Sequence, residues 1–243
     1  MKQALALYWE SVKALWEDLF TLILANLLWF GIGFLPLILA LSATWLLPPA
    51  VAWVGVGLTL LTLPVATAGL NLLANEIAHE RRVALSLFWG GVREYFWQAL
   101  GVGVIDLLLA AVIVANYFFY GRFAATWAPW VQGAWMALGI FWMALQVYLY
   151  PFLMEQIPRN VLLPFRNSAL MVLATPFVTG VALVLALLTL GLSLTLAFPF
   201  LAGGVSLISL YANKLALAKL EDFKRLREEN QSEFEEGDGT EPV

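Results

Sequence analysis

A single carboxylate, Asp106, stands deep inside a long apolar run, with Val102, Val104 and Ile105 before it and Leu107, Leu108 and Leu109 after it. Ionised in hydrocarbon, such a group is costly enough to require a partner, and its default use is to bind a proton or an ion. The structural alternative is a hydrogen bond to a neighbouring helix that fixes packing. Asn71, Asn75, Gln146, Asn213 and Lys214 can supply partners, and with Asp106 they form a candidate intramembrane polar site. Asn26, Glu76 and Glu155 fall towards the same ends of their apolar runs. This set can line a polar cavity open to the cytoplasm, or it can tie helices together at about 0.6 kcal/mol per hydrogen bond. The second use is the commoner.

Other chemistries lack their residues. With no cysteine and one histidine, His79, thiolate metal sites, disulfides, cysteine nucleophiles and histidine clusters are excluded. No phosphate-cradling glycine loop, paired-histidine zinc motif or serine nucleophile elbow occurs. An intramembrane enzyme would need paired acids, Ser with His, or metal ligands, and only one deep acid is present. We therefore expect a non-enzymatic protein without cofactors. Basic residues are too few and scattered for nucleic acid. Asn116, Tyr117, Tyr120 and Arg122 could meet a sugar or an anion but read more simply as interfacial anchors. His79-Glu80-Arg81-Arg82 could meet anionic lipid headgroups, or serve as an ordinary topogenic loop.

The elements that would position these groups follow from composition. Hydrophobic residues make up 62% of the 243 and charged residues 12%, and a soluble fold of this length could not bury so much apolar surface. The expected fold is all-α, a polytopic membrane helix bundle with the lipid bilayer as solvent. Six stretches can cross about 30 Å of hydrocarbon: about 20–46, about 51–76, about 99–120, about 128–154, about 176–196 and about 199–217. Pro48-Pro49 and Phe198-Pro199 mark tight turns, and Pro36 after Gly31 and Gly33 marks a kink. With both termini in the cytoplasm, every Lys and Arg except Arg122 falls on the cytoplasmic side, Arg159 included. Trp45, Trp53, Trp127 and Trp130 then lie at the outer boundary, and Trp9, Trp16, Trp89 and Trp97 at the inner one.

Residues 1–18 read as an interfacial amphipathic helix, with Leu5, Trp9, Val12, Leu15 and Trp16 on one stripe. Residues 19–218 form the six-helix transmembrane domain. Residues 219–243 form a cytoplasmic helix end followed by an acidic tail, expected to be disordered. That tail holds seven acidic and no basic residues from Glu228 onwards, so the rest of the chain carries three more basic than acidic groups. Glu10, Lys13, Glu17 and Asp18 interrupt any signal-peptide core, so the first span is expected to act as its own insertion signal. A weak echo links Asn75-Glu76-Ile77 to Glu155-Gln156-Ile157, each followed by an amphipathic segment, as in a parallel repeat. Small residues four apart at Ala111/Ala115, Gly133/Ala137 and Ala182/Ala186 permit close helix contact.

Asn26-Leu27-Leu28-Trp29 with Leu35-Pro36, then Leu63-Pro64 with Thr67-Ala68-Gly69, resembles the YesL-like bacterial membrane proteins. The stretch from Phe88 through Arg93 to Phe96 is similar to that family's amphipathic connector. The resemblance covers roughly residues 8 to 215; Leu70 stands where the family usually has Pro. It implies a multi-pass protein of the bacterial cytoplasmic membrane, of unknown function. It also implies a carbohydrate-utilisation setting, with a membrane-protein partner such as a sugar-uptake system. It carries no site residues. Two readings stand: an accessory, scaffold or regulatory component, or a small transporter or channel using Asp106 as its ionisable site.

Overall fold

The computed structural model describes residues 2–157, 160–196 and 200–238. Every regular element among them is helical: α1 (Lys2–Glu17), α2 (Leu19–Ala43), α3 (Val51–Ala78), α4 (Ser86–Glu94), α5 (Phe96–Tyr120), α6 (Ala128–Glu155), α7 (Leu163–Ala174), α8 (Pro176–Leu196) and α9 (Val205–Asp238), with a π-type turn at Phe200–Gly204. In a solvent that offers no hydrogen bonds a helix satisfies its own backbone, so apolar runs of this length have no other open-ended solution. Five of them, α2, α3, α5, α6 and α8, are long and apolar enough to cross a membrane.

The nine α-helices among the described residues repeat one unit three times. Each unit is a short helix, then an outer helix, then an inner one: α1-α2-α3, α4-α5-α6 and α7-α8-α9. The inner helices α3, α6 and α9 all touch one another. Around them the packing is cyclic: α4 lies on α3, α7 on α6 and α1 on α9, while α5 packs beside α3, α8 beside α6 and α2 beside α9. Tyr8, Phe88 and Phe165 take the same place in the three short helices, and each enters a different one of three hydrophobic clusters. Ser11, Gly91 and Ser168 follow three residues later, all buried and all small, where the short helix meets its inner helix. The outer helices leave Leu27, Leu35, Leu107, Leu108, Leu187 and Leu188 exposed, as lipid-facing surfaces do. The echo read between the first two hairpins therefore extends to a third.

The inner helices run in one direction. Tyr150 and Glu155 of α6 bond Pro64 and Asn75 of α3 in the same chain order. Against α2, α3 descends from Leu37–Thr59 to Trp29–Thr67, and the chain entering α9 descends from Asn26–Leu201, in the turn before it, to Leu22–Ser206.

α2 contains Pro36, and the groups it disturbs are repaired from α3. Thr59 Oγ1 accepts from the Leu37 N–H (3.2 Å) and Thr62 Oγ1 donates to the Gly33 carbonyl (2.9 Å). An uninterrupted helix would pair those two backbone groups with each other.

Of the α1 stripe, Leu5, Trp9 and Trp16 are exposed and Leu15 packs against a core cluster, while the face that meets the bundle carries Ala4, Ser11 and Ala14. Small residues lie against α9 because they allow close approach, while the exposed large apolar ones remain for lipid. The acidic tail expected to be disordered from Glu228 is helical as far as Asp238. Its Glu, Gln, Lys and Arg residues are good helix formers, and the packed start of α9 has already overcome nucleation. Among the marked small pairs, Gly133 has nothing within reach of a Cβ, whereas Ala182 is fully buried; close glycine contacts include Gly55 with Ala40, Gly69 with Gly91, and Gly103 with Pro64. The Phe198-Pro199 turn, Arg159 and the last five residues lie outside the described residues.

α1 is tied to α9 at its start. Lys219 donates to Gln3 and, at 2.7 Å, to Asp222, which also accepts from Gln3. The Lys219 hydrogen bond holds the Asp222 carboxyl below its ordinary range. A depressed carboxyl contributes stability above its unfolded-state pKa, and that contribution is lost as pH falls through the folded value. A nitroxide at position 5 should therefore show constant mobility between about pH 6 and 8 and rising mobility below about pH 4. Asp222→Asn should show the higher mobility at every pH; equal profiles for both proteins would refute the coupling.

Candidate intramembrane polar site

The three inner helices bring Asn75, Glu155 and Asn213 together at corresponding positions. Asn75 Nδ2 donates to Glu155 Oε1 (2.7 Å) and to Asn213 Oδ1 (3.2 Å), and Asn213 Nδ2 donates to Asn71 Oδ1 (3.1 Å) and the Ser209 carbonyl (2.8 Å). Asn71 Nδ2 closes the ladder on the Thr67 carbonyl at 2.9 Å. Asn71, Asn75 and Asn213 are all buried. Amides suit such a place because each can donate and accept at once, so Asn71, Asn75 and Asn213 link α3 to α9 without adding charge, while the acid Glu155 brings in α6.

His79 joins this network at the C-cap of α3. Its Nδ1 lies 2.9 Å from the Asn75 carbonyl and must carry a hydrogen there, while Nε2 lies 3.5 Å from Glu155 Oε1. The next turn is sharp, with Glu80 in the left-handed region (φ 57°), and it returns Arg81 to Glu76 at 3.0 Å.

Asp106 belongs to a second cluster. Its Oδ1 accepts from Trp142 Nε1 (2.8 Å) and Gln146 Nε2 (2.7 Å), two residues one turn apart on α6. Asp106 thus turns away from lipid and towards the neighbouring helix. A crevice of about 390 Å³ between α3, α6, α8 and α9 separates the clusters, with Asn71 and Ser209 on one wall and Gln146 on another. Its other walls, including Leu183, Leu187, Val205 and Ile208, are apolar.

Of the six candidate residues, Asn71, Asn75 and Asn213 converge, and Asp106 with Gln146 forms a separate pair. Lys214 joins neither. It lies on another face of α9, with Nζ 3.5 Å from the Glu10 carbonyl of α1, because a one-residue step turns a helix by 100° from Asn213. His79 and Trp142 were not selected from the sequence. Each stands four residues from a selected one, His79 after Asn75 and Trp142 before Gln146, and that spacing was the available signal. Asn116 bonds only the Val112 carbonyl of its own helix, and Tyr120, Phe123 and Trp127 stack as a boundary cluster. Among the described residues no three of His, Asp and Glu are grouped as a metal site would require. No protein-family model, curated protein or solved structure matches the chain.

Proposed function

We propose that this chain is a non-enzymatic accessory, scaffold or regulatory component of the bacterial cytoplasmic membrane, acting on a membrane-protein partner. The observation that carries this reading is that the polar side chains of the inner helices are spent on one another: Asn75 on Glu155 and Asn213, and Asn213 on Asn71. Polar groups committed in this way hold a bundle rigid and present its outer surfaces unchanged. The YesL-like resemblance adds a sugar-uptake system as the kind of partner. The transporter reading would need water to reach Asp106 from both sides. Towards the outer end, the groove beyond it is lined by Ile113, Val114, Phe118 and Met136, which disfavour that path.

The topology that accompanies this reading has six crossings with both termini in the cytoplasm. α9 runs parallel to α3 and α6, so it crosses where they cross. Its average hydropathy is low because the helix runs on into the charged residues from Lys219 to Asp238, whereas Leu210, Tyr211, Leu215 and Ala216 in its first half are apolar and buried. The cysteine-free chain allows clean labelling. A cysteine at position 80 should react only from the cytoplasm, and one at position 126 only from outside; outside labelling at position 80 would overturn the topology.

Function is tested by mild detergent extraction from native membranes followed by reconstitution. A stoichiometric membrane-protein partner and no ion flux from the purified chain are expected. Proton or cation flux that Asp106→Asn abolishes would replace the scaffold reading with transport.

A further inference from the structure

Asp106 also forms part of the wall of a groove of about 310 Å³ between α3, α5 and α6. Leu60, Leu63 and Pro64 come from α3, Leu107 and Ala110 from α5, and Trp142 and Tyr150 from α6. Leu60 and Leu107 are 40% and 42% exposed, so the groove opens sideways where α3 and α5 face the bilayer. One turn before Asp106 the same two helices are in tight contact, since a Cβ on Gly103 would stand 2.2 Å from Pro64 Cγ. The groove starts where that contact ends.

Among the described residues, the acid in this groove has no countercharge. Both of its hydrogen bonds end on Oδ1 and come from neutral donors, and the ion pairs among the described residues involve other acids. An uncompensated carboxylate at membrane depth is a standing cost that a bound cation would remove. A bare alkali ion would need a shell of oxygen ligands. The wall offers few, because Thr67 already receives the Trp29 N–H and donates to the Leu63 carbonyl, and Tyr150 donates to the Pro64 carbonyl. It does offer apolar surface and two aromatic rings, which suit a cation whose charge is carried on an apolar body. An anionic amphiphile would be repelled by Asp106.

We propose that this groove binds a hydrophobic organic monocation, such as a quaternary ammonium or a lipophilic amine, entering from the bilayer with its charge against Asp106. The proposal does not depend on the scaffold reading, since binding without transport fits a regulatory component equally.

The test uses equilibrium dialysis of the full chain in detergent with labelled tetraphenylphosphonium. Saturable binding near one per chain is expected, displaced by unlabelled cation but not by triphenylphosphine oxide, a neutral compound of similar shape. Asp106→Asn should weaken binding at least about tenfold while staying monodisperse, because an Asn carbonyl can accept from Trp142 and Gln146 as the carboxylate does. Ala110→Phe, which fills the groove and leaves the acid in place, should weaken binding too and decides the matter if Asp106→Asn fails to fold. Absence of saturable binding, equal affinity in Asp106→Asn, or displacement by the neutral analogue would each overturn the proposal.

Discussion

Replacing Gly91 by leucine should cost about 3 kcal/mol of stability, the upper end of what overpacking commonly costs. A Cβ at this position would lie 2.8 Å from Gly69 Cα, 3.0 Å from the Ala68 carbonyl oxygen and 3.0 Å from Leu72 Cβ. None of these is the end of a flexible side chain. Relief requires α4 to move off α3, and Gly69 faces the same obstacle from the other side, where its own Cβ would stand 2.7 Å from the Phe88 carbonyl oxygen. Leucine would therefore expel Phe88, which is fully buried between these helices. The adjacent Gly90 is the control, since its Cβ would meet only Leu72 Cδ2 at 3.9 Å. Gly90→Ala should be neutral or gain up to about 0.5–1 kcal/mol from the better helix propensity of alanine. Denaturation in mixed micelles measures both. Equal stabilities for the two variants would show that α4 is not held through this contact.

Asn213→Leu should cost about 2 kcal/mol. Interhelical hydrogen bonds in membranes average about 0.6 kcal/mol and reach about 1.7, and a stranded buried amide adds to the loss. Asn213 is the member of the ladder that touches both other amides. Leucine would leave Asn71 Oδ1 without its donor and Asn75 with Glu155 alone. Asn116→Leu should change stability by less than about 0.5 kcal/mol, because that side chain is only partly buried and bonds only its own helix. A double-mutant cycle sharpens the test: with Asn71→Leu already present, Asn213→Leu should cost measurably less than it does alone. Strict additivity would mean that the ladder does not act as a unit.

Apolar composition and run length were enough to determine an all-helical bundle and to place the long helices, because in lipid the backbone has no alternative to bonding itself. Pro36 could be read as a disturbance of α2 for the same local reason, a missing N–H and a steric clash. Asp106 could be read as needing a partner, since the cost of a deep carboxylate depends on depth and not on which helix lies opposite. Only the tertiary structure decided what those partners are. Trp142 and Gln146 reach Asp106 from α6, and Thr59 and Thr62 repair Pro36 from α3, through contacts between helices whose rotation about their axes composition leaves open. Lys214 was separated from Asn213 by that rotation alone.

The threefold plan was half legible. Asn75 and Glu155 could be aligned by eye, whereas Asn213 could not, because Asn213-Lys214-Leu215 carries neither the acid nor the Ile that Asn75-Glu76-Ile77 and Glu155-Gln156-Ile157 share. What brings the three into register is packing: Ser11, Gly91 and Ser168 admit the short helices, and α3, α6 and α9 then meet at the centre. A local sequence records how far each helix extends and which residues dislike lipid. Which polar residue faces which is a property of helices already assembled, since hydrogen bonds of under 2 kcal/mol select among packed arrangements that side-chain size has first made possible.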